Sequence, residues 1–295
     1  MEHLFTVDVE EHFQVHALEP YVARSDWSSM ESRVERSMER LYGLLAEAGA
    51  RATFFVLGCL AERKPALVPR MIELGHEVAS HGWAHHRVSG QTPAAFREDV
   101  RRSKALLEDQ AGRPVIGYRA PSFSITPGVE WAFDVLLEEG YVYDSSIFPI
   151  RRPGYGYPGA PRDPHVLRLA AGQLIELPLN TLTVGPARLP AAGGAYLRHL
   201  PYGMIRAAFR QQARRGVPGM FFLHPWEVDP GQPRLPVPPL TRMRHYGGLA
   251  RTEGRVARLL SEFRFESVLG SRVLGLSEVV RVEEAAPVVA PELSA

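Results

Sequence analysis

Cysteine occurs once in this chain, at Cys59. A single thiol excludes an intramolecular disulfide and suits a reducing compartment. Cys59 sits among Val56, Leu57 and Leu60, the setting of a buried structural thiol rather than a nucleophile. Lysine is nearly absent: apart from Lys64 and Lys104 the 34 basic residues are arginine, set against 33 acidic ones. A net charge of +1 with no dense basic block gives no attraction to nucleic acid or to a membrane surface. No apolar run approaches the ~20 residues of a membrane span. Met1-Glu2-His3 leads straight into an apolar strand rather than a secretory leader, so a cytoplasmic location is expected.

At 295 residues the chain is long enough to bury a sizeable core in one large domain. Leu4-Phe5-Thr6-Val7 reads as a strand buried on both faces, ending in Asp8-Val9-Glu10. Ser28-Ser29 is an expected cap for a helix carrying Met30, Val34, Met38, Leu41 and Leu45, closed by Gly49. Strands are expected at 52–56, 77–80, 115–119 and 141–143. Between them, helices are expected to open at Pro65, at Thr92-Pro93 and at Thr126-Pro127. From Phe148 to Pro201 proline and glycine accumulate, and only Leu174-Ile175-Glu176-Leu177 reads as a strand; such a stretch suits a functional loop region. Alternation resumes with a helix near 202–213, the strand Met220–Leu223, a helix near 249–262 and a strand at 265–269. The count of strands predicts an α/β fold, a distorted (β/α) barrel with seven or so parallel strands. One domain is expected over 1–282, with an irregular insert at 148–201 and a specialised part at 227–282, followed by an aperiodic, disordered tail at 283–295.

Chemistry-bearing residues fall just past these strands. A strand has a side-chain period of two, so Asp8 and Glu10 share a side. His81 and His85 in Ser80-His81-Gly82-Trp83-Ala84-His85 are four apart, a spacing that puts two imidazoles together. A carboxylate with two histidines suits a borderline divalent ion such as zinc and leaves coordination positions open. Arg119 ends the fourth strand as either a rim salt bridge or a clamp holding an acid ionised. Asp144 ends the fifth as a partner behind the site or a cap. His224 follows the hydrophobic strand Phe221-Phe222-Leu223, and a histidine outside the metal set is the natural general acid. Trp226 reads as a wall for a sugar ring or as core.

The ordered set Thr6-Val7-Asp8, His81-x-x-x-His85, Arg119-Ala120-Pro121 and Leu223-His224 resembles the polysaccharide deacetylases, the carbohydrate esterase family four group. The run His224-Pro225-Trp226-Glu227-Val228-Asp229-Pro230, with Arg244-His245-Tyr246, is similar to the subgroup encoded with exosortase-type exopolysaccharide systems. The resemblance implies hydrolysis of N-acetyl groups from amino sugars of a poly- or oligosaccharide. It implies Asp8 as base, Arg119 as the residue that orients it, and His224 as acid. Glu10, His81 and His85 are then ligands of Zn2+, with Co2+ or Ni2+ as substitutes. Pro121, Asp144, Leu223 and Trp226 are the expected contacts with substrate. Val9 separates the two acids where many members have adjacent aspartates, Gly82 stands where serine or threonine usually follows the first histidine, and the family's fourth motif is poorly matched around Asp144. The partner implied is an N-acetylated saccharide; a homo-oligomer is compatible, and neither nucleic acid nor a membrane span is expected. Two rival readings are a cyclic amide or ureide hydrolase of the same fold and a non-catalytic saccharide-binding module. The second predicts loss of a ligand or of the acid, and all are present.

Overall fold

The computed structural model describes residues 1–152 and 154–278. The expected tail at 283–295 and the boundary at 282 lie outside the described residues. The chain opens with β1 (Glu2–Val9), whose side chains divide between two cores. Phe5, Val7 and Val9 pack outward against helices, whereas Leu4, and with it Thr6 and Asp8, turn to the opposite face. The first helix, α1, spans Val34–Glu47 and lays Val34, Met38, Leu41 and Leu45 on the outward core. Its start differs from the Ser28-Ser29 expectation. Glu11 provides the cap instead, its Oε2 accepting the Arg33 N–H at 3.0 Å while Oε1 accepts the Ser32 hydroxyl. An acid at a helix N-terminus both satisfies open N–H groups and meets the positive end of the dipole.

Next come β2 (Thr53–Val56), the short helix α2 (Gly58–Arg63), α3 (Leu67–Glu73) and β3 (Glu77–Ser80). Helix α4 (Pro93–Ala111) starts as the sequence implies, with the Thr92 hydroxyl oxygen accepting the Ala95 N–H and Gly112 in the left-handed region at its end. Strand β4 is only Gly117–Tyr118, α5 is Trp131–Glu138 and β5 is Tyr143–Asp144. The helix expected from Thr126-Pro127 begins later because Gly128 has φ +98°, which breaks the helical path. The insert is more ordered than expected. It holds two antiparallel hairpins, β6 (His165–Leu169) with β7 (Gly172–Glu176) and β8 (Thr181–Val184) with β9 (Ala187–Pro190), then the short helix α6 (Gly194–His199). Helix α7 (Tyr202–Arg214), β10 (Met220–Leu223), α8 (Pro239–Tyr246), α9 (Thr252–Glu262) and β11 (Arg264–Glu266) complete the described elements.

The central sheet has the order β10-β1-β2-β3-β4-β5-β7-β6, with β11 also pairing β1. All its pairs are parallel except β6 with β7. The sheet curls, and irregular stretches of the insert close it. Leu177 N–H donates to Asp144 O, Asn180 N–H to Met220 O, and Phe222 N–H to Ala192 O. Inside the curl lie Leu4, Phe55, Ala79, Tyr143, Met220 and Phe222. Outside it Phe54, Phe221 and Leu223 meet α1, α7 and α9. Each large apolar side chain so buried contributes about 1.5–3 kcal/mol. The α/β fold expected from the sequence, with its parallel strands curled into a distorted barrel, is the one observed. All parallel strands present their C-terminal ends at one mouth, where the candidate residues follow.

Candidate metal centre and hydrolytic site

Glu10 leaves the end of β1, His81 the end of β3, Arg119 the end of β4 and His224 the end of β10. Parallel neighbours therefore bring distant residues together. One donor atom each from Glu10, His81 and His85 lies within 4.8 Å of the others. His85 Nε2 is 3.1 Å from Glu10 Oε2, yet that buried oxygen makes no hydrogen bond. His81 Nδ1 faces the Arg119 carbonyl at 2.8 Å. A carbonyl only accepts, so Nδ1 carries the hydrogen and the Nε2 lone pair is free. Burial, the main cause, lowers the His81 pKa to about 4, keeping it neutral as a metal ligand must be. Burial works to raise Glu10, but the charges of His85 and His224 outweigh it and bring the carboxyl to about 2. An orphaned carboxylate oxygen beside two buried imidazoles fits a divalent ion of the zinc class.

The loop that carries the histidines is held tightly. Gly82 has φ +74°, and a Cβ there would meet Asp99 Oδ1 at 2.8 Å. That Oδ1 accepts the Trp83 N–H at 2.8 Å, while the Ser103 hydroxyl donates to Gly82 O at 3.0 Å. Asp99 of α4 thus supports the turn through the backbone. His85 itself sits at φ +55°, an uncommon conformation for a residue with a side chain and one that marks constrained sites.

Arg119 is completely buried and its donors are distributed over fixed acceptors. Nη1 donates to Asp8 Oδ1 at 2.7 Å and to Thr6 Oγ1 at 2.8 Å. Nε donates to Ser145 O at 3.1 Å and Nη2 to Ser145 Oγ at 2.9 Å. Of the sequence alternatives for Arg119, this is the clamp on an acid, and Asp8 is the acid. On the other side His224 Nε2 stands 3.3 Å from Glu10 Oε1. Burial alone would lower the His224 pKa, but Glu10 and Glu227 overcome that and raise it to about 9.

Other expected residues fall elsewhere. Asp144 is fully buried and accepts from Ser146 N–H at 2.8 Å and Ser146 Oγ at 2.7 Å. It lies beside the buried carboxyl of Glu176, and burial raises the pKa of both. Asp144 therefore fixes the turn after β5 and has no surface to offer a substrate. Leu223 is likewise fully buried, in the outward core with Val7 and Val9, because alternation along β10 points it away from the barrel interior. Pro121 is buried at the start of a turn in which Ser122 and Phe123 have φ +56° and +51°. Trp226 is 7% exposed and stacks between His224, at 5.2 Å, and His245, at 4.3 Å. Cys59 is half-buried against the outward core rather than fully buried as its neighbours in sequence imply, and burial pushes its thiol up to about 12.

Sequence reasoning missed the residues behind His224. Glu227 Oε2 is 3.0 Å from His224 Nδ1, and Glu227 Oε1 accepts from Arg198 Nε at 2.9 Å. The spacing His224-x-x-Glu227 is that of an acid reaching back to a helix N-cap, and Glu227 Oε2 accepts the His224 backbone N–H at 3.0 Å; this was a readable signal. Arg198 on α6 had none.

Residues 28–134 match a family model described as polysaccharide deacetylase, and residues 145–271 match one described as a domain of unknown function, DUF3473. A chitooligosaccharide deacetylase of Sinorhizobium fredii is 38% identical over 93 residues, covering 32% of this chain and 41% of that protein. The peptidoglycan-N-acetylglucosamine deacetylase PgdA of Listeria monocytogenes is 29% identical over 99 residues, 30% of this chain and 21% of that protein. The chain thus spans about a fifth to two fifths of the length of these curated relatives. A crystal structure from Mycobacterium smegmatis, provisionally named a polysaccharide deacetylase, superposes with TM-score 0.62 at 22% identity over 99% of this chain and 96% of that one. The PuuE allantoinase superposes with TM-score 0.61 at 15% identity, over 94% and 90%. These superpositions show a shared fold.

Proposed function

We propose that this chain, a relative of the polysaccharide deacetylases by its family match and its curated relatives, is a metal-dependent hydrolase that removes N-acetyl groups from amino sugars of a poly- or oligosaccharide. The observation that carries the reading is the convergence of Glu10, His81 and His85 within 4.8 Å between an arginine-clamped Asp8 and His224. Glu10, His81 and His85 would hold the cation, with Zn2+ as the expected ion and Co2+ or Ni2+ as substitutes. When bound, such an ion lowers the pKa of a coordinated water toward ~7 and polarises a carbonyl. Asp8, oriented by Arg119, accepts a proton from the attacking water as its oxygen bonds to the acetyl carbon. His224, protonated on Nε2, then delivers that proton to the amide nitrogen as the C–N bond breaks. Acetate and a free amine leave, and one water has been added across the amide. The subgroup motif from His224 to Pro230 favours an exopolysaccharide intermediate as the saccharide.

The likeness to an allantoinase is one of fold, whereas the similarity over residues 28–134 is to saccharide deacetylases, so the amino-sugar reading is preferred. The test is acetate release from N-acetylglucosamine oligomers by purified protein, after chelation and after re-addition of zinc. We expect activity that disappears with chelator and returns with metal. Zinc-loaded protein that leaves all N-acetyl saccharides intact while opening cyclic ureides would overturn the reading in favour of its rival.

A further inference from the structure

The segment matching a domain of unknown function, residues 145–271, surrounds one side of the site. Its contribution is visible in the atoms around His224. Glu227 is fully buried, and each carboxylate oxygen has a separate task. Oε2 accepts the His224 backbone N–H at 3.0 Å and faces the same residue's Nδ1 at 3.0 Å. Oε1 accepts from Arg198 Nε at 2.9 Å. Arg198 is itself buried, and its Nη1 donates to the carbonyl oxygens of His245 at 3.0 Å and Gly247 at 2.6 Å. Gly194 at the start of α6 leaves no room for a side chain, since a Cβ there would lie 2.1 Å from Glu227 Oε2. The insert, the segment after β10 and the end of α8 therefore converge on one carboxylate whose nearest functional neighbour is His224. Burial alone would raise the Glu227 pKa, but Arg198 and His224 hold it at about 2.

We propose that Glu227, fixed by Arg198, is a positioning residue that aligns the His224 ring for proton delivery, and that this is what the 145–271 segment adds to the reaction. It rests on the deacetylase reading above. With Glu227 accepting from Nδ1–H throughout, the proton that leaves His224 is the one on Nε2, which faces Glu10 and the cleft. The ring then ends neutral, with Nδ1 still protonated and one tautomer defined.

The test compares two acetyl substrates in zinc-loaded full-length protein. An N-acetyl amino sugar expels an amine and needs the proton, whereas 4-nitrophenyl acetate expels a stable phenolate and does not. Glu227→Gln should lower kcat on the saccharide roughly 10- to 100-fold, with KM little changed, and leave aryl acetate turnover and zinc content near wild type. Arg198→Lys should show the same selectivity at smaller size. In a His224→Ala background, Glu227→Gln should cost nothing further, because its effect runs through the ring. Equal losses on both substrates, or additive losses in the double variant, would overturn the positioning role while leaving the deacetylase reading intact. A wild-type protein inactive on N-acetyl saccharides would remove the reading itself, and the proposal with it.

Discussion

Arg119 and Arg198 are the largest fully buried side chains of the described residues. Each is paired with one buried carboxylate, Asp8 at 2.7 Å and Glu227 at 2.9 Å. A buried ion pair is weak evidence for stability, because desolvation offsets most of the Coulombic gain. Two of them beside one cluster of ligand-type side chains therefore point to chemistry. They differ in distance from the reaction. Arg119 clamps Asp8, which would act on water directly, while Arg198 clamps Glu227, which reaches the reaction only through His224. Their supports differ too. Arg119 leans on Ser145, in a turn tied by Asp144 and Glu176, whereas Arg198 leans on backbone carbonyls at the end of α8.

The sharpest way to break the comparison is to remove what lies between the two pairs. His81→Ala or His85→Ala should abolish turnover and lose bound metal, read by elemental analysis; unchanged metal content would discard the ligand assignment. Asp8→Asn comes next. It should keep the metal and lose roughly 10²- to 10⁴-fold in kcat, more than Glu227→Gln, because its carboxylate acts without an intermediary. Equal losses in the two variants would erase the distinction drawn here.

Stability measurements probe the supports. Gly194→Ala, which would drive a methyl group into Glu227, should destabilise by about 1–3 kcal/mol and depress saccharide turnover. Gly254→Ala on α9, with nothing within 4 Å of the new Cβ, should instead stabilise by roughly 0.5–1 kcal/mol. Urea unfolding of both variants reads the contrast. Smallest is the effect of Glu176→Gln behind Arg119. Burial raises the pKa of Glu176 and Asp144, so the folded state keeps a proton that the unfolded chain releases. Stability is then lost as pH rises from the ordinary carboxylate range toward the raised values. The variant should melt a few degrees above wild type at pH 8, with the gap closing toward pH 4.

The metal-side residues were legible because each follows a strand whose hydrophobic run announces it. Asp8, Glu10, His81, Arg119 and His224 needed only the rule that parallel strands end at one mouth. The residues behind His224 were not, since Arg198 and Glu227 stand 29 positions apart on a short helix and a turn. The first hairpin of the insert was hidden for a local reason. Ala170-Ala171 makes the β6–β7 turn, and two alanines carry none of the glycine or asparagine signature such turns usually show. Ser28-Ser29 misled because serine is a good cap in general, whereas here the acid at position 11 reaches the helix first.

That acid has a consequence of its own. Glu10 and Glu11 are adjacent, and the backbone sends one toward the cation cluster and the other to the first turn of α1. Losing the first carboxylate should leave an intact but inert molecule; losing the second should leave fewer molecules. A mutational scan across this dipeptide would therefore separate abundance from potency at neighbouring codons.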